Sequence, residues 1–101
     1  MRTRRTYYKD YGLTDEQVSY AKKRCHENNM DDEEKDMLWD AAISSNKCIA
    51  KELYISLSKN LSYRDTTDLC GYIPYNYEDF YGYQRLCLVK FRNLLIFSGK
   101  Y

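Results

Sequence analysis

Proline occurs once in this chain of 101 residues, at Pro74, and glycine four times, at Gly12, Gly71, Gly82 and Gly99. With so few turn-forming residues, the many tight reversals of an all-β sandwich or barrel are not encoded. No apolar run approaches the ~18 residues that a membrane span needs. The opening stretch, MRTRRTYYKDYG, lacks the apolar core of a secretory signal, so the expectation is a soluble, cytoplasmic protein with no membrane contact.

The chain is equally poor in the groups that do chemistry. Its four cysteines, Cys25, Cys48, Cys70 and Cys87, lie seventeen or more positions apart, so no CxxC knuckle exists to hold zinc. The single histidine, His26, adjoins Cys25, and neighbouring helical residues point in different directions. No metal site is expected, and the thiols read as reduced, buried, structural groups. The scattered glycines form no phosphate cradle. A nucleophile needs a base, and His26 has no triad context. The chain is therefore not expected to be an enzyme, and no cofactor is implied.

Net charge is also scarce, at +1, but the balance is uneven. Residues 1–10 carry Arg2, Arg4, Arg5 and Lys9 against Asp10; residues 11–47 carry nine acids against five bases; from Cys48 onward there are seven bases against five acids. Nucleic-acid binding by overall charge is excluded, which leaves only a local patch for such a role. The run Asp31, Asp32, Glu33, Glu34 and Asp36 has a plain structural use, since carboxylates in a helix's first turn complement its dipole.

What is present in quantity is tyrosine, 12 of it, a side chain with large contact area, a polar tip and few rotatable bonds, suited to core edges and to binding surfaces. Helical signals cover most of the chain. Thr14-Asp15-Glu16-Gln17 reads as a capping box that opens a helix to about Glu27, with Val18, Ala21 and Cys25 inward. A second helix starts at Asp31 or Asp32 and ends near Ser44-Ser45-Asn46. A third, roughly 46–59, places Ile49, Leu53 and Leu57 at helical spacing. A short helix over 65–70 should stop at Gly71 in the left-handed conformation, and Pro74 forces an extended turn. The last helix starts at Asn76, a natural N-cap, and runs to about Phe97.

These signals give an all-α, compact orthogonal bundle of four to five helices, with residues 1–12 a basic mobile arm and residues 13–101 a single domain. Its expected core is Val18, Leu38, Trp39, Ile49, Leu53, Leu57, Leu69, Phe80, Cys87, Phe91 and Leu94. Leu94-Leu95-Ile96-Phe97 exceeds what one helix face buries, so it should pack across the bundle or form a homodimer contact.

The order short helix, turn, capped long helix is that of a helix-turn-helix DNA reader, whose second helix projects its N-terminal side chains into the major groove. Asn76, Tyr77, Tyr81, Gln84 and Arg85 stand at the positions that would face DNA, with Arg92 further along. Asn, Gln and Arg can pair with base edges and Tyr can donate to phosphate. Arg2, Arg4 and Arg5 would add phosphate or minor-groove contacts. An ordinary helical hairpin is the alternative reading.

Leu61-Ser62-Tyr63, Ile73-Pro74-Tyr75-Asn76 and Asp79-Phe80-Tyr81-Gly82-Tyr83-Gln84-Arg85 together resemble the C-terminal part of small phage and prophage proteins of Firmicutes, the RinA-like and ArpU-like late-gene regulators. Those in turn resemble region four of sigma factors. The resemblance covers about the last forty residues and implies a transcription regulator in a bacterial host cell, partnered by duplex DNA and by RNA polymerase. The chain departs from the pattern in carrying Arg85 alone where those regulators have several basic residues, and in placing Gly82 inside the helix, at ~1 kcal/mol relative to Ala. A second function class is an anti-CRISPR type of inhibitor that binds a CRISPR effector nuclease. Asp31, Asp32, Glu33, Glu34 and Asp36 would stand in for phosphates and Tyr75, Tyr77 and Tyr81 would serve as aromatic anchors.

Overall fold

Among the described residues, every α-helix but the one over residues 50–58 begins where a short polar side chain closes its first turn. In a computed structural model that describes residues 14–99, Thr14 opens helix α1 (Asp15–Arg24): its hydroxyl accepts from the Gln17 amide at 3.3 Å while the Gln17 side chain takes the Thr14 N–H at 3.0 Å. Asp31 and Glu34 repeat the device for α2 (Asp32–Ser45), at 2.8 and 3.1 Å. Asn46 caps a 3-10 turn over Lys47–Ile49 that leads into α3 (Ala50–Ser58). Ser62 caps α4 (Tyr63–Cys70) and Asn76 caps α5 (Tyr77–Phe97). Among the described residues there is no strand, and the fold is an all-α bundle. The arm with Arg2, Arg4 and Arg5 lies outside the described residues.

The boundaries differ from expectation for local reasons. Helix α1 stops at Arg24, short of Glu27, because the Asn29 carboxamide donates to the Lys23 carbonyl at 2.7 Å and closes the end. A 3-10 turn over Glu27–Asn29 then carries the chain toward α2. The first turn of the third helical stretch is 3-10 and not α, and α4 starts two residues earlier than residue 65 because Ser62 is its cap. Gly71 has the positive φ that was expected, +91°, but an extended ψ of −165°. That region is open essentially to glycine alone, and it turns the chain out of α4.

The largest helix contact is α2 against α5, with α1, α3 and α4 also packed on α5. The two helices run antiparallel: the Lys90 ammonium donates to the Ser44 carbonyl and the Ser98 hydroxyl meets the Met37 sulfur. Phe80, Phe91, Leu38, Ile49, Leu53, Leu88 and Leu95 are the largest fully buried apolar groups, joined by Ile73 from the extended turn. Ala21, Ala41, Ala42 and Ala50 are buried between them and let the helices approach closely. Buried hydroxyls are satisfied locally, Thr66 by the Ser62 carbonyl and Ser56 by the Leu53 carbonyl.

Two expected core residues are outside it. Trp39 is 40% exposed and Leu69 61% exposed. The inner face of α2 is set by Glu34, Leu38, Ala41 and Ala42, and Trp39 stands ~100° away from Leu38 around the helix. On α4 the inward residue is Thr66, and Leu69 falls on the other side of it from Tyr63 and Cys70. At the C-terminal end Leu95 is buried and Leu94 half-buried against the core, while Ile96 and Phe97 point outward. The thiols also divide. Cys25 and Cys87 are buried, but Cys48 is exposed and Cys70 half-buried, so the reading of all four as buried is corrected.

Phe91→Ala is expected to lower stability by about 3–5 kcal/mol, and Leu69→Ala to change it by under about 0.5 kcal/mol; urea denaturation midpoints check both. Burial pushes the thiols of Cys25 and Cys87 from an ordinary 9.0 up to about 12. The unfolded chain therefore loses these protons first, so the stability the two groups contribute is complete below pH 9 and is lost progressively as pH rises toward 12. A thiol reagent at pH 8 should modify Cys48 in the native protein and reach Cys25 and Cys87 only on unfolding.

Candidate functional site

The helix, turn and helix of residues 63–97 are present, but α5 is the central helix of the bundle. From Asp79 to Arg92 no residue of it is exposed. Phe80, Gly82, Cys87, Leu88, Val89 and Phe91 are buried, and the polar groups between them are turned to internal use. The Tyr81 hydroxyl accepts the Tyr63 N–H at 2.8 Å, and the Gln84 carboxamide donates to the Ser56 hydroxyl at 3.0 Å, tying α5 to α4 and α3. Arg85 and Arg92 are half-buried. Asn76 is exposed, yet its side chain is the N-cap, accepting from the Asp79 amide at 2.9 Å. Tyr77, 58% exposed, is the aromatic of this set that faces solvent.

Tyr75 is likewise structural. Its carbonyl accepts the Tyr63 hydroxyl at 2.6 Å, and its ring meets Tyr83 edge-on with centroids 5.3 Å apart. The exterior of the unit carries Leu69, Tyr72 and Tyr77 together with three carboxylates, Asp65, Asp68 and Glu78, and one exposed guanidinium, Arg64. It is an aromatic and acidic surface more than a basic one.

The acidic run of α2 separates into two groups. Asp31 and Glu34 form the capping box, and Glu34 is buried, paired with the Arg24 guanidinium at the end of α1. Glu34 is thus unavailable to a partner, which corrects its place among the surface carboxylates. Asp32, Glu33 and Asp36 are exposed. Asp32 and Asp36 share a flank with Trp39 and Ile43, four residues spaced four, three and four apart and so within about 60° on the helix surface. Trp39 stands edge-on to Tyr54 of α3, centroids 5.8 Å apart at 78°. The Tyr54 hydroxyl titrates above its ordinary value because it is partly desolvated and lies in the negative field of Glu27 and Asp36. An aromatic pair with an exposed Ile43 is therefore bordered by Asp32, Asp36 and Glu27, the last also paired with Lys59 at 3.5 Å.

The sequence reading missed this flank because Trp39 was assigned to the core by size. The phase of Glu34, Leu38, Ala41, Ala42 and Ser45 contains the signal that places it outside. Among the described residues no helix is long and apolar enough to cross a membrane. No family model, curated protein or solved structure matches the chain.

Breaking a buried ion pair from one side leaves a charge without compensation. Arg24→Ala is expected to cost near the lower end of ~3–5 kcal/mol, since Arg24 keeps partial water access, while Arg24→Met combined with Glu34→Gln should recover most of that loss. Glutamine preserves the capping box. Denaturant midpoints of the single and double variants provide the measurement.

Proposed function

We propose that the chain is a protein-binding module whose α2 flank engages a basic surface on a partner. The carrying observation is Trp39, 40% exposed and braced by Tyr54, with the carboxylates of Asp32 and Asp36 on the same flank. Partly exposed tryptophan is the residue type that most often dominates a protein interface once covered, and the surrounding acids supply steering toward positive charge. A channel that holds nucleic-acid backbones is a basic surface of this kind, so inhibition of a nuclease such as a CRISPR effector is the form this reading takes.

The second reading, a regulator that binds duplex DNA or RNA polymerase, is favoured by the order of α4, turn and capped α5, and by the resemblance in residues 61–85. The burial of α5 and the carboxylates on the outside of the unit weigh on the other side.

The two readings separate in one experiment. Tagged protein is used to capture partners from nuclease-treated bacterial lysate, and binding to mixed duplex DNA is measured by fluorescence anisotropy at low salt. The module reading expects a nuclease-resistant protein partner whose affinity falls at least about 30-fold with Trp39→Ala, falls again with Asp32→Lys plus Asp36→Lys, and weakens with salt. DNA binding that loses about 1–3 kcal/mol with Arg85→Ala, with no retained protein, would overturn it in favour of the regulator.

A further inference from the structure

Lys90, Asn93, Leu94 and Phe97 are spaced three, one and three apart and so share one stripe on the C-terminal half of α5. Phe97 is 92% exposed, more than any other large apolar side chain among the described residues, and Ile96 beside it is 46% exposed. Between this stripe and Asp40 and Ser44 of α2 lies an open cleft of about 470 Å³, lined mainly by carbon. None of Asp32, Asp36, Trp39 and Ile43 lines it, so the cleft stands independently of the proposed function.

The two walls carry opposite charges that the described residues leave without ionic partners. Asp40 is exposed and makes no ion pair or side-chain hydrogen bond. The Lys90 ammonium donates to the Ser44 carbonyl at 2.7 Å and has no carboxylate partner. Because α2 and α5 are antiparallel, with Ser44 beside Lys90 and Met37 beside Ser98, Asp40 stands about 6 Å along the cleft from Lys90, in the direction of Phe97. A two-fold axis crossing the cleft midway between these two charges exchanges their positions, so each Asp40 faces the Lys90 of the other copy. A partner of one sign would match one wall and oppose the other, whereas a surface with both signs in this order matches both, and this chain itself carries one. At a net charge of +1, two copies repel each other little.

We propose that this cleft is the interface of a two-fold homodimer, in which Phe97 of each copy covers the carbon lining of the other cleft and the Asp40 and Lys90 pairs set the register. A side chain as exposed as Phe97 brings on the order of 150–200 Å². With Ile96 and the cleft walls each copy stays below the ~800 Å² of a standard interface, so the dimer is weak and dissociates in the micromolar range.

Sedimentation velocity from ~5 to ~500 µM tests the assignment. The wild type is expected to pass from monomer to dimer within that range. Phe97→Asp should raise the dissociation constant at least about tenfold. Asp40→Lys and Lys90→Glu, each alone, set like charges against each other and should stay monomeric. An equimolar mixture of the two should dimerise again, because both pairs in the mixed dimer are opposite in sign. Lys90→Glu also loses the bond to Ser44, so its thermal melt reports whether the fold persists; Asp40→Lys and Phe97→Asp, both at exposed positions, carry the test if it does not. A wild type that is monomeric at the highest concentration, a dimer indifferent to Phe97→Asp or Asp40→Lys, or a mixture of folded variants that fails to associate would overturn the proposal.

Discussion

The structure depends on one constraint: α5, 21 residues long, is surrounded. At 1.5 Å per residue it spans ~31 Å, about the width of a small domain, and the four other α-helices of the described residues pack on it. A helix in that position cannot keep one polar face. It must be apolar or small in most directions, as Phe80, Gly82, Cys87, Leu88, Val89, Phe91 and Leu95 are, and its polar side chains must find partners inside the protein. Tyr81 and Gln84 do so. Their value to the fold is cross-linking between helices, which is why residues that look like base readers in the sequence are positioned as struts.

The surface that remains is set by what α5 cannot cover. Helix α2 gives α5 its inner face and leaves a flank on which two carboxylates, Asp32 and Asp36, precede Trp39 and Ile43. Helix α4 is short and turns only one side inward, leaving Leu69 outside. The result is a chain of almost zero net charge whose exterior is locally acidic around aromatic groups. Charge segregation of this kind is invisible to the total and is produced by the packing of the helices.

Helix existence was legible in the sequence because its signals are local. Thr14-Gln17 and Asn76 act within three residues of themselves, and the structure uses both as the caps they were read to be; Asp31-Glu34 and Ser62 act as locally, but their capping role came from the structure. Periodicity found Leu38, Leu53, Phe80, Cys87 and Phe91 for the same reason. Trp39 and Leu69 were misplaced because size alone does not fix rotation about a helix axis; the burial of Glu34, through its pairing with Arg24, decides the phase of α2, and that pairing joins two helices. The uses of Tyr75, Tyr81 and Gln84 were likewise hidden, since each partner lies twelve or more residues away.

The contrast between local caps and the distant contact of α2 with α5 has a consequence for how the chain folds. Helical turns whose ends are written into their own sequences form and melt on the microsecond scale, before any long-range contact holds them. The contact that completes the core instead joins residues such as Ser44 and Lys90, 46 positions apart, and Met37 and Ser98, 61 apart. Closing so long a loop is the entropically costly event. Docking of α5 on α2 is therefore expected to limit folding, so that substitutions at Leu38, Phe91 and Leu95 would slow folding, whereas those at the α1 end of the bundle would chiefly hasten unfolding.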